Sequence, residues 1–167
     1  MLKEGDNLRF NAHRGPIPVS LDRWPINRHW TAGRAFIDQK PVHVHDMLSA
    51  EGEEFPDGRE LSQRMGHRTI LSVPMLQRGE GVGAIVVRRA EVHPFSDKQI
   101  ALLTTFADQA VIAIENTRLF NETQEALARQ TASADILKVI ASSPSDVQPQ
   151  SFGLSFGSAD YQQDVTE

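Results

Sequence analysis

Pro94-Phe95-Ser96-Asp97-Lys98-Gln99-Ile100 opens the most informative stretch of this chain, and Ser142-Ser143-Pro144 closes it. Between Phe95 and Ser143, a span of 49 residues, there is neither glycine nor proline, although the chain holds 11 and 9 of them. An even scatter would put about six into such a window, and both residues break helices. The opening has a helix start signal: Ser96 to cap, Gln99 at the reciprocal position three residues on, and Phe95 with Ile100 as a hydrophobic staple. The reading is one long helix, or two nearly continuous ones, from Asp97 to about Ala141.

That helix would run roughly 65–70 Å at 1.5 Å per residue, so its distal half must project or pair. It is apolar on two sides. Ile100, Leu103, Ala107, Ala110, Val111 and Ile114 form one stripe, and Leu102, Phe106 and Ala113 lean towards another. One face suits a sheet, the other a partner helix. From Asn121 to Asp135 the apolar content thins to Leu127 and alanines, with Gln124, Gln130 and Thr131 where a zipper would want Leu or Ile. Two readings stay open there: a weak coiled coil, or a solvated helix steadied by pairs such as Glu125–Arg129.

Upstream the period changes to that of strands. Leu8–Ala12 alternates after the turn Glu4-Gly5-Asp6-Asn7, and Pro41-Val42-His43-Val44-His45 alternates again. Thr69–Leu76 and Val82–Arg88 flank Arg78-Gly79-Glu80-Gly81 as a hairpin, in which Pro74 marks a bulge or an edge. Short helices are expected at Thr31–Ile37 and Glu60–Met65. Strand, helix, strand, helix, hairpin, long helix gives an α+β fold: an antiparallel sheet with short flanking helices and a long C-terminal helix. Only Met1-Leu2-Lys3 precede the first turn, too few for the strand that turn should join, so the chain reads as beginning inside a hairpin.

Composition excludes several functions. Of the 167 residues 40% are apolar and 23% charged, which excludes a disordered chain. No apolar window reaches membrane-spanning length, and the start lacks the apolar run of a signal peptide. A net charge of −5 argues against nucleic acid as a partner. With no cysteine, disulfides, thiolate metal sites and Cys nucleophiles are absent from this sequence. There is also no phosphate-binding glycine loop, G-x-S-x-G elbow or H-E-x-x-H, and no kinase phospho-acceptor segment or ATP lobe.

Arg68-Thr69-Ile70-Leu71-Ser72-Val73-Pro74-Met75, Gly81-Val82-Gly83-Ala84-Ile85, Phe95–Ile100 and Phe106-Ala107-Asp108-Gln109-Ala110-Val111-Ile112-Ala113-Ile114-Glu115-Asn116 together resemble the second half of a GAF domain. The likeness is to those of bacterial sensor histidine kinases and nucleotide cyclases. Pro41–Asp46 resembles the family's middle strand with its following acid, and Thr31-Ala32-Gly33-Arg34-Ala35 the start of its pocket helix. The match runs from about Leu8 to Leu119. Against that family, residues 1–120 read as a GAF-like domain lacking its first helix and strand. Residues 121–143 read as a connecting signalling helix; from Ala134 it resembles the first helix of a further GAF unit. Residues 144–167 read as a disordered or non-native tail, in which Ser151–Phe156 could supply the missing strand.

The resemblance implies a sensory or regulatory domain, cytoplasmic and not itself an enzyme, in a two-component histidine kinase or a cyclase. The thiol chemistry of the family's free methionine sulfoxide reductase, and covalent bilin attachment, both need cysteine. It implies a small-molecule pocket lined by Phe10, Ala12, Trp30, Thr31, Val44, Asp46, Arg68 and Ser72, with Trp30 and Arg34 suited to a purine and an anion. The competing reading is a collapsed pocket with Trp24 and Trp30 as core or lid aromatics. A homodimer would form through Leu102, Phe106, Ala113 and Phe120. Two alternatives are a ligand-free dimerisation module and a metal or haem redox sensor using His43 and His45, with His13, His29, His67 or His93 as a third ligand. No cofactor and no metal are expected in the first reading.

Overall fold

The computed structural model describes residues 1–19 and 21–142. Six antiparallel strands form one sheet in the order β3-β2-β1-β6-β5-β4. They are β1 Leu2–Glu4, β2 Asn7–Arg9, β3 Arg23–Pro25, β4 Val42–Val44, β5 Thr69–Gln77 and β6 Glu80–Arg89. The helices are α1 Thr31–Asp38, α2 Pro56–Met65 and α3 Asp97–Ser142, with a 3-10 turn at Ala50–Glu54. This is the α+β architecture expected from the sequence.

The β5–β6 hairpin is its backbone. Nine residue pairs join the two strands, and Arg78 and Gly79 turn between them at φ 52° and 84°. Both angles are left-handed, the geometry that matches the twist of a two-residue hairpin. β5 is buried on both faces. Leu71, Val73 and Met75 pack under Ala107 and Val111 of α3, with Ile100, Leu103 and Ala110 beside them. On the other face Ser72 donates to Thr31 Oγ1 at 2.9 Å, joining the sheet to α1. Pro74 costs no ladder bond: opposite it Ala84 turns its N–H and C=O to Met1, so Pro74 faces away from β6, beyond the end of β4. The irregularity in the ladder falls one residue later, between Met75 and Leu76.

The expectation of a missing strand ahead of Leu8 is corrected. Leu2–Glu4 forms β1, which pairs with β2 through Leu2↔Arg9, Lys3↔Leu8 and Glu4↔Asn7. A tight turn at Gly5, φ 59°, needs only three residues ahead of it to close a ladder. β1 meets β6 through one registered pair, Leu2↔Gly83, with Met1 and Ala84 exchanging backbone hydrogen bonds beyond it. The strand expected over Leu8–Ala12 ends at Arg9, and β3 carries the sheet outward.

α3 starts as its sequence signal requires. Ser96 N–H donates to Gln99 Oε1 at 3.0 Å and Gln99 N–H to Ser96 Oγ at 3.4 Å, so both arms of the capping box form. Phe95 is fixed further. Its N–H donates to His43 Nε2 at 3.1 Å, and the Arg89 guanidinium lies 4.1 Å over its ring. Leu102, Phe106, Ala113 and Phe120 all face solvent, Phe106 at 58% and Phe120 at 63% exposure.

The chain divides into two compact units, residues 1–123 and 124–167. In the second, Leu127, Ile136, Leu137, Val139 and Ile140 are exposed along the helix as far as Ser142. Among the described residues the Glu125–Arg129 pair is not formed; Arg118 instead bridges Glu115 and Glu122. The tail expected at 144–167, with its Ser151–Phe156 segment, lies outside the described residues. No helix among the described residues is long and apolar enough to cross a membrane.

Candidate functional site

A cavity of about 470 Å³ lies in the first unit where β1 runs out along β6. Ala84 exchanges backbone hydrogen bonds with Met1, and Val86 and Arg88 point their amides the same way. No backbone partner meets them among the described residues. The cavity is therefore lined from both faces of the sheet. Ile70, Val86 and Arg88 contribute from the α1 side, and Met75 and Ile85 from the α3 side.

The segment after β2 and the start of α1 form its aromatic wall. Phe10, Trp24 and Trp30 all line it, with the Phe10 and Trp24 rings 5.7 Å apart. Trp30 precedes the first residue of α1 in extended conformation, and α1 is seated closely. A β-carbon at Gly33 would fall 2.2 Å from the Asn27 carbonyl oxygen, so only glycine permits that approach. α3 supplies Ala110 and Ile114, so one helix both covers the core and borders the cavity.

Four of the eight residues assigned to the pocket line it: Phe10, Ala12, Trp30 and Thr31. Ser72 lies just beneath, holding the Thr31 hydroxyl. The other three are placed elsewhere, each for a physical reason. Val44 is 2% exposed in a separate apolar cluster with Met47, Phe55 and Ile70. Asp46 and Arg68 are engaged with each other, Nε to Oδ1 at 2.7 Å and Nη2 to Oδ2 at 2.5 Å. That fork holds the Asp46 carboxyl below its usual range, with the Leu48 N–H adding to it. Arg34 is likewise committed, to Glu54 at 2.7 Å and Asp38 at 3.5 Å, and does not border the cavity.

The histidines do not converge. His43 and His45 are neighbours, with ring centroids 4.6 Å apart, but His43 Nε2 accepts the Phe95 N–H and His45 Nδ1 sits 3.1 Å from Glu51. Burial, then the adjacent His45, pulls the His43 pKa down, which preserves the neutral ring that this acceptor role needs. No group of three or more potential metal ligands is assembled among the described residues.

Among the cavity residues outside the sequence assignment, His67 and Arg88 carry the polar chemistry. His67 is 1% exposed, and its Nδ1 has no hydrogen-bond partner among the described residues. Burial, with the Arg88 charge adding to it, pulls its pKa down to about 4. Arg88 is half-buried in the same wall. The hairpin register carried that signal: Ile70↔Arg88 places the arginine on the face of Ile70, Ser72 and Val86.

Comparison with known proteins agrees with this architecture. The family model for the GAF domain matches residues 6–114. Free methionine-R-sulfoxide reductase from Neisseria meningitidis, solved with its substrate, superposes with a TM-score of 0.60 at 21% identity, covering 71% of this chain and 66% of that one. The GAF-B domain of DevS from Mycobacterium smegmatis gives 0.54 at 22% identity over 71% and 77%. Staphylococcus aureus fRMsr, also solved with substrate, gives 0.54 at 16% identity over 66% and 65%. At these identities the likeness is one of fold. The match spans about two thirds or less of both reductase chains. No curated protein matches the chain.

Proposed function

The chain belongs to the GAF family, and from that premise we propose that it is a sensory domain of a signal-transduction protein, of the histidine-kinase or cyclase type. It takes a small molecule in the cavity beside β6 and reports occupancy through α3. The observation that carries this reading is that Ala110 and Ile114 of α3 are part of the cavity wall. An occupant thus touches the helix that also covers Leu71, Val73 and Met75 of the core. It can shift α3 only by binding one packing of that helix better than another.

The output reading draws on the apolar residues that the sheet leaves uncovered. Leu102, Phe106, Ala113 and Phe120 lie on the exposed part of α3, and a second copy of the chain is the partner we assign to them. We read the domain as non-catalytic. The methionine sulfoxide reductases share its fold, but the thiol chemistry associated with that activity needs cysteine, and this sequence has none. A cytoplasmic location fits this role.

Native mass spectrometry of freshly purified protein tests both halves. A dimer carrying an organic mass is the expected species. A dimer with an empty cavity favours the ligand-free module, and a monomer at high concentration with α3 intact removes the dimer.

A further inference from the structure

The cavity has a charge character of its own. The chain carries a net charge of −5, yet among the described residues no Asp or Glu lines this cavity, while Arg14, Arg88, His13 and His67 all do. Arg88 is the notable member. Burial pulls its pKa down, and it forms no ion pair among the described residues. Its only acceptors there are the Ile17 and Pro18 carbonyls, both at 3.3 Å from Nη2, which leaves Nε and Nη1 uncommitted. A half-buried cation without a carboxylate is costly unless an anion joins it.

Two residues of the same lining carry polar atoms that are shielded from solvent and have no partner among the described residues: Trp30 at Nε1 and His67 at Nδ1. The indole nitrogen is only a donor, as is the guanidinium, so both require an acceptor. Buried donors of this kind are rarely left unmet, and each that remains weakens the folded state. His67 is held neutral at ordinary pH and therefore adds a polar contact rather than a second charge.

We propose that the cavity is a site for a small planar monocarboxylate, its carboxylate forked onto Arg88, its acceptor edge within reach of Trp30 Nε1, and its apolar body against Phe10 and Trp24. One guanidinium matches the two oxygens of one carboxylate in geometry and charge. The aromatic wall sets the preference for a flat body. This assignment rests on the cavity being the sensory site, and it adds the chemical class of the occupant.

The test is calorimetric titration of the full chain with indole-3-acetate, its neutral isostere indole-3-acetamide, and cationic tryptamine. Indole-3-acetate is expected to bind at least tenfold more tightly than the amide, with tryptamine weakest. Arg88→Gln is expected to abolish that preference by weakening acetate binding far more than amide binding, and Arg88→Lys to restore part of it. The amide arm reports whether the variants keep a folded cavity, and the Trp30 indole N–H resonance, assigned with Trp24→Phe, should move with the acetate. Equal binding of acetate and amide, or a preference that survives Arg88→Gln, overturns the carboxylate assignment and leaves the sensory reading standing. No binding by any of the three at millimolar concentration also overturns the carboxylate assignment, while an organic mass on the purified protein would still support the sensory reading.

Discussion

The two halves of the sheet are built on different terms. In β4–β5–β6 the strands reach ten residues, β5 is buried on both faces, and nine residue pairs close the hairpin. In β1–β2–β3 every strand has three residues, and β1 meets β6 through one registered pair. The first half is held by its own ladder and by α3; the second depends on a few large side chains, chiefly Leu8 and Trp24. The cavity lies along the seam. A site bordered by one firm wall and one lightly held wall can change shape on binding without disturbing the core.

The largest expected effect separates these halves directly. Leu71→Ala should cost about 2–5 kcal/mol in denaturant unfolding and speed amide exchange throughout the first unit. Leu8→Ala removes an equally buried side chain but should speed exchange mainly in β1–β3. Uniform acceleration by both would show that the two halves open together.

Acid is the next probe, because His67 stands at the start of the firm wall. Its pKa falls from 6.5 when unfolded to about 4 in the fold, so the unfolded chain binds the extra proton first. The stabilisation is complete above about pH 6.5 and is lost as the pH drops towards 4, by roughly 3 kcal/mol for this group. His43 adds to the loss in the same direction. His67→Leu should flatten the pH dependence of the unfolding free energy in that window; an unchanged slope would assign it to other groups.

A smaller effect belongs to the start of α3. Ser96→Ala removes one arm of the capping box and should cost about 1 kcal/mol, read as a lowered Tm. Arg118→Ala, on an exposed and solvent-screened ion-pair cluster, should lower Tm less than Ser96→Ala does. If the order of these last two is reversed, the surface network matters more to α3 than its cap does.

The same contrast explains what the sequence could disclose. The β5–β6 hairpin and α3 are long enough to display a period, and the glycine-free, proline-free run from Phe95 to Ser143 has few other readings. Three residues cannot show one, which is why Leu2–Glu4 and Arg23–Pro25, the latter ending in proline, carry no strand signal in the sequence. Phe10, Ala12, Trp30 and Thr31 of the expected pocket line the cavity because the backbone delivers them there. Asp46 and Arg68 lie outside the cavity lining and satisfy each other, a choice made by geometry that residue type does not reveal. Arg88 was legible in principle, since the hairpin register fixes its face.

In the proposed mechanism the cavity and α3 respond together, through Ala110 and Ile114. Hydrogen exchange of the full chain with and without saturating indole-3-acetate addresses it most directly. Slowed exchange is expected at α1 and β6 and equally across residues 107–115 of α3. Protection confined to α1 and β6, with α3 unchanged, would contradict it.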